Sequence, residues 1–73
     1  MTIRFEDLEP GLRIVDEWNQ RCVVEDIDNE GRMVTTRRYE GRTYWDGVAT
    51  WSEAQFNGRR WWKLWRGSVP RRS

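Results

Sequence analysis

The chain has 73 residues, a formal net charge of +1 and no histidine. This length suits one domain, in which folding buries only about 60% of the surface of the unfolded chain. Six Trp, two Tyr and two Phe residues supply the large side chains that a small core needs, and this aromatic content argues against a disordered chain. We predict a single folded domain over residues 1–66 and a flexible basic tail at 67–73.

The side chains that enzymes use most often for proton transfer are scarce. Histidine is missing, and the acidic residues come as neighbours such as Asp16-Glu17, which alternate between the two faces of a strand and do not converge. We therefore expect no enzymatic activity, no metal site and no cofactor. Cys22 is the only cysteine, which excludes an internal disulfide, and we expect it to be a small buried apolar residue.

Membrane and export signals are also missing from the sequence. No segment approaches the ~20 apolar residues of a membrane-spanning helix. The first ten residues, MTIRFEDLEP, lack the apolar run of a signal peptide. These features predict a cytoplasmic protein that does not act at a membrane.

The two halves of the chain differ in charge. Residues 1–30 contain three arginines and nine acidic residues, whereas residues 31–73 contain ten basic and three acidic residues. Two interpretations stay open. The charges of the halves either cancel as ion pairs across paired strands or leave a basic surface for a partner.

The first segment predicts a helical turn and a strand. Phe5 to Leu8 are expected to form this turn or a loop, and Pro10-Gly11 ends it. The strand covers residues 12–18, and its period of two places three apolar side chains on one face. These are Leu12, Ile14 and Trp18.

Two further strands follow. A tight turn at Asn19-Gln20 leads into a second strand at 21–27, whose run of apolar residues leaves the inward face open. The next turn ends at Gly31, where we expect a positive φ. The third strand, 32–39, has no plainly apolar face, which is typical of an edge strand or of a polar binding surface.

The last segment predicts a strand, a short helix and a strand. After a turn at 40–42, the fourth strand runs through Tyr44 and Trp51 and is bent or bulged at Gly47. Ser52 to Gln55 has the S-x-x-Q form of a capping box at a helix start. Asn57-Gly58 predicts a turn with positive φ before the fifth strand at 59–65.

This order of elements resembles the SH3-like small barrel of Src-homology-3, Tudor and KOW-type domains over residues 10–65. Pro10 to Ile14 is similar to the P-G-x-x-V entry of such barrels, and the helical turn before the fifth strand matches their 3₁₀ turn. The resemblance implies an all-β, five-stranded barrel with one short helical turn between strands 4 and 5. It also implies a tendency to bind nucleic acids or peptides, but assigns no functional residue.

Arginines and aromatic residues alternate after Gly31, which favours a nucleic-acid-binding module. Guanidinium groups neutralise phosphates, and an exposed aromatic ring stacks on an unpaired base. We predict that strands 3–5 carry this surface. The candidate binding residues are Arg37, Arg38, Arg42, Tyr44, Arg59, Arg60, Trp61, Lys63 and Trp65. Replacing Arg59 and Arg60 together is expected to weaken binding without lowering thermal stability.

Two other interpretations compete with this one. Most of the tryptophans can be core residues, with arginine stems lying over their edges. A net charge of +1 is also low for a nucleic-acid binder. The alternative function is therefore a protein-binding module or small inhibitor, including one that forms a homo-oligomer, because Trp, Tyr and Arg dominate protein interfaces. The size and arginine content would also suit a protein encoded by a bacteriophage.

Overall fold

The computed structural model describes residues 2–64, so the predicted basic tail lies outside the described residues. The elements follow each other in the predicted order. They are a 3₁₀ turn at Phe5–Asp7, β1 at Arg13–Asp16, β2 at Arg21–Asp28, β3 at Met33–Glu40, β4 at Thr43–Ser52, α1 at Glu53–Asn57 and β5 at Trp61–Lys63.

The five strands form one antiparallel sheet in the order β4-β3-β2-β1-β5. The prediction of an all-β protein with one short helix between its fourth and fifth strands is confirmed. The sheet is not closed, because β4 and β5 lie at its two ends and do not pair with each other. A barrel therefore remains a prediction.

The hairpin between β1 and β2 turns at Asn19, as predicted. Asn19 has a φ of 63°, a conformation that Asn tolerates better than most residues. One oxygen of the Asp16 carboxylate accepts the amides of Trp18 at 3.0 Å and Gln20 at 2.8 Å. Asp16 is the last residue of β1, and its side chain is buried on the same face as Leu12 and Ile14. The prediction that Trp18 shares this face is wrong, since Trp18 lies in the turn and is 60% exposed.

The middle strands bury one face each. Cys22 and Val24 point inward from β2, and Val34 and Thr36 point inward from β3. β3 pairs with β2 on one side and β4 on the other, so the first of the two predicted explanations for its polar faces, an edge strand, is wrong. Its polar Thr36 is tolerated inside because the hydroxyl accepts a hydrogen bond from the Trp51 indole at 3.0 Å.

The turn between β2 and β3 needs glycine at position 31 because a side chain would not fit there. Arg32 adopts the positive φ of 54° that was expected at Gly31. The amide of Gly31 donates to the Asp28 carboxylate at 3.0 Å, and a Cβ at this position would come within 2.8 Å of that carboxylate. Arg32 is held by two hydrogen bonds to the Glu53 carboxylate, at 2.7 and 3.1 Å, which lower the pKa of Glu53.

Helix α1 begins with the predicted capping box. The Ser52 hydroxyl accepts from the amide of Gln55 at 3.1 Å, and the Gln55 side chain accepts from the amide of Ser52 at 3.0 Å. The prediction of a positive φ after the helix is wrong, because Gly58 has a φ of −76°. Asn57 instead accepts the amide of Phe5 at 2.8 Å and so ties the helix to the 3₁₀ turn.

The core lies between the inward face of the sheet, α1 and the 3₁₀ turn. Trp61 of β5 is its largest member, with 1% of its surface exposed. Its indole stacks on Phe56 at 4.7 Å between ring centres, meets Trp51 edge-on at 5.3 Å and donates to the Phe56 carbonyl oxygen. Such aromatic pairs add about 0.5–1.5 kcal/mol to the burial of apolar area. Among residues 2–64, no helix has the length and apolar character needed to cross a membrane.

Candidate functional site

Three indoles surround the guanidinium of Arg59 beside the start of β5. The guanidinium carbon lies 4.5 Å from the ring centre of Trp18 and 4.7 Å from that of Trp51. The ring of Trp61 is more distant, at 5.9 Å. Trp18 comes from the turn after β1 and Trp51 from the end of β4, so this cluster joins elements that are distant in the sequence. A cleft of about 400 Å³ opens beside it, between Glu17 and Gln55.

The buried carboxylate of Asp16 links this cluster to the stability of the fold. Its side chain is 2% exposed, and its second oxygen accepts from Arg59 at 3.4 Å. A buried carboxylate without a counter-charge is costly, so Arg59 stabilises the fold as well as the indoles. This placement argues against the expectation that Arg59 can be replaced without loss of stability. Arg60 is different, because it is exposed and only its backbone amide bonds to Glu17, at 2.9 Å.

A second pair of the same kind lies further along the sheet. The Arg38 guanidinium lies 5.2 Å from the ring centre of Trp45, and that indole is 49% exposed. Two cavities of about 270 Å³ flank the pair. One extends to the turn at Asn19 and Gln20, and the other is a groove toward Gly47.

Thr36 connects the two groups. Its hydroxyl accepts from the Trp51 indole, and the same residue lines the groove beside Trp45. Arg38 lies two residues along β3 and therefore on the same face of the sheet. We name this surface the indole–guanidinium face. Its members are Trp18, Arg38, Trp45, Trp51 and Arg59, and the buried Thr36 lies between the two groups.

The thiol of Cys22 lies beneath this face, and its buried surroundings make it unreactive. Burial raises its pKa to about 11, although a hydrogen bond with Thr36 acts in the opposite direction. A thiol with so high a pKa is protonated at neutral pH. Cys22 therefore has the buried, apolar role that the sequence predicts.

Arg37 and Tyr44 lie on the other side of the sheet. Arg37 pairs with Glu25 at 3.1 Å and donates to the backbone oxygens of Trp45 and Asp46, at 2.6 and 2.9 Å. Tyr44 packs on Tyr39, and its hydroxyl accepts from Arg13 at 3.0 Å. Both residues hold strands together, and the charge of Arg37 is offset by a carboxylate.

The remaining predicted site residues are scattered. Trp61 is a core residue, and its assignment to a binding surface is wrong because nothing outside the protein can reach a ring that is 1% exposed. Lys63 is exposed on β5, at the edge of the sheet opposite β4. Arg42 is exposed in the turn before β4, and Trp65 lies outside the described residues. Of the nine candidates, Arg38 and Arg59 belong to the indole–guanidinium face.

Three aromatic members of this face were not predicted as site residues. Trp18 was assigned to the core on its strand period, but the strand ends two residues earlier. Trp45 lies inside the bulged segment 45–47, and Gly47 is the sequence signal that the strand is irregular there. Trp51 is half-buried, so it serves the core and the face together.

Ion pairing decides which arginines retain a free charge. The described residues include pairs between Arg59 and Asp16 and between Arg37 and Glu25, so charges of the two halves of the chain partly cancel, as one interpretation predicts. Four exposed arginines close to the face or to its β3–β4 hairpin form no ion pair within residues 2–64. They are Arg21, Arg38, Arg42 and Arg60.

Within the described part of the chain, no three Cys, Asp or Glu side chains come together as a possible ligand set. The face instead offers flat apolar rings and positive charge.

Comparison of the chain with protein-family models, curated proteins and solved structures gave no match.

Proposed function

We propose that this protein is a non-enzymatic binding module that holds single-stranded nucleic acid on its indole–guanidinium face. The observation that supports the proposal most directly is the exposure of Trp18 and Trp45, at 60% and 49%, each beside a guanidinium on one surface. Burying an indole is favourable, so two exposed indoles on so small a protein need a reason. Stacking with unpaired bases supplies one.

The charge around the face supports a phosphate-bearing ligand. Arg21 and Arg38 line one cavity beside Trp45, Arg42 lies at the end of the same hairpin, and Arg60 follows Arg59. A bound strand therefore meets about four guanidinium groups that form no ion pair within residues 2–64. Duplex nucleic acid fits less well, because its bases are stacked on each other and are not available to the indoles.

The proposed architecture is an SH3-like small barrel. Strands β1 to β4 follow each other as antiparallel neighbours, α1 separates β4 from β5, and β5 returns to pair with β1. This connectivity supports the proposal, and closure would require β4 to approach β5. The fold alone does not imply a ligand, so the functional proposal rests on the face and not on the architecture.

Fluorescence anisotropy with a labelled 20-nucleotide DNA strand tests the function. Four phosphate contacts give a slope of about −3 in a plot of log affinity against log salt concentration, so binding should weaken roughly 50-fold between 50 and 200 mM salt. The double variant Arg21→Gln/Arg38→Gln should bind more weakly and show a shallower slope. Lys63→Gln is the control, since it removes the same type of charge at the opposite edge of the sheet. Absence of binding at 50 mM salt would contradict the proposal.

A protein partner is the second candidate, and the edge strand β4 favours it. Thr43 to Thr50 is exposed throughout, and Asp46 is the one charged residue in this stretch. An exposed edge with so little charge is a template for another strand, from a second copy or from a different protein. Sedimentation of nuclease-treated protein distinguishes the two candidates, because a stable oligomer without nucleic acid supports the protein partner.

A further inference from the structure

We propose that the groove beside Trp45, at the bulge of β4, receives one unpaired base of the bound strand. This inference rests on the proposed function and names the part of the ligand, a single base, that the groove holds. The groove has a volume of about 270 Å³ and a mainly hydrocarbon lining. It is formed by Thr36, Arg38, Trp45, Gly47, Val48 and Ala49.

The bulge creates the groove. On β3 only Arg38 separates the paired residues Arg37 and Tyr39, whereas three residues, 45–47, separate their partners Val48 and Tyr44 on β4. The two extra residues loop out of the ladder, and the Arg37 guanidinium fastens the loop through the carbonyl oxygens of Trp45 and Asp46. This attachment is made from the opposite side of the sheet, so it leaves the groove side of the loop unobstructed.

Gly47 keeps the groove open. A Cβ built on Gly47 meets no atom within 4 Å, and its φ does not lie in the positive region that only glycine favours. Neither crowding nor backbone conformation therefore requires glycine at this position. A side chain would instead occupy open space beside the groove that Gly47 lines.

The chemistry of the walls suits a nucleobase. An indole offers a stacking surface, the Arg38 guanidinium adds positive charge next to it, and Ala49 forms an apolar side. β4 is an edge strand, so the backbone N–H and C=O groups on its outer side are open to hydrogen bonding with a base edge. Arg21 lines the neighbouring cavity and Arg42 lies in the turn before β4. Neither forms an ion pair among the described residues, so both can neutralise flanking phosphates.

The variant Gly47→Leu tests the groove by filling it. Thr50→Leu is the matched control, because it puts the same side chain on the same strand, opposite Thr35 and on the other face of the sheet. Losing one stacked base corresponds to roughly 5- to 150-fold weaker binding of the labelled DNA. Gly47→Leu should show a loss in this range at 50 mM salt, whereas Thr50→Leu should bind like the unmodified protein.

A second measurement covers the case in which Gly47→Leu does not fold. In unmodified, ¹⁵N-labelled protein, addition of a five-nucleotide DNA strand should shift the NMR signals of the Gly47 amide and the Trp45 indole. If DNA binds but these two signals stay unchanged, or if folded Gly47→Leu binds DNA normally, the groove proposal is overturned while the proposed function stands. If the unmodified protein binds no single strand at all, both fail. Shifts produced by an extended peptide and not by DNA would also overturn it.

Discussion

Replacing Arg59 by alanine should destabilise the fold more than its position near the surface suggests. The substitution removes a guanidinium that lies against two indoles, at 4.5 and 4.7 Å, and leaves the buried Asp16 carboxylate without its counter-charge. Each cation–π contact contributes about 0.5–1 kcal/mol at such a site. A hydrogen bond to a charged group contributes about 1.5–3 kcal/mol.

The expected loss of stability lies toward the lower end of the sum of these contributions. The contact to Asp16 is long, at 3.4 Å, and the Arg59 side chain is 30% exposed, so water replaces part of it. We expect a decrease of about 2–3 kcal/mol in the free energy of unfolding. For a domain of this size, that corresponds to a fall in Tm of roughly 10–20 °C.

Urea and thermal unfolding, followed by circular dichroism, measure this change. Arg60→Ala is the matched control, because the neighbouring side chain is exposed and forms no ion pair within residues 2–64; its effect should stay within about 0.5 kcal/mol. In an Asp16→Asn background, Arg59→Ala should cost less, because the carboxylate no longer needs a counter-charge. Equal Tm values for Arg59→Ala and Arg60→Ala would refute the structural role of Arg59.

Two further predictions concern the thiol and the helix cap. Because burial raises the pKa of Cys22 from 9.0 to about 11, its contribution to stability is present below pH 9 and is lost as the pH rises toward 11; a Cys22→Ala variant should lose less stability over that range in urea titrations. Iodoacetamide should also label native Cys22 far more slowly than the unfolded chain at pH 8. Ser52→Ala should cost about 0.5–2 kcal/mol in urea unfolding, and Ser52→Asp should retain most of the stability; equal values for the two variants would contradict the capping role.

Local features of this protein follow from its sequence. The capping box needs two side chains three residues apart, and the hairpin turn at Asn19 needs one residue that tolerates positive φ. The all-β class follows from alternating side chains between turn residues. In each case the interacting groups are near neighbours in the chain, so the spacing alone is informative.

The binding face depends on contacts between distant residues. Arg59 meets Asp16, 43 residues away, and this contact makes it a structural residue. Trp61 and Trp62 are adjacent and have equal propensities, yet the register of β5 against β1 decides that Trp61 enters the core.

The sequence alone thus determined the order of the strands and turns, the helix cap and the bulge near Gly47. The tertiary structure decided which aromatic rings are exposed and which arginines keep a free charge. Exposure and ion pairing depend on which strand lies beside which, and strand register is set by the packing of the whole sheet and not by any one segment.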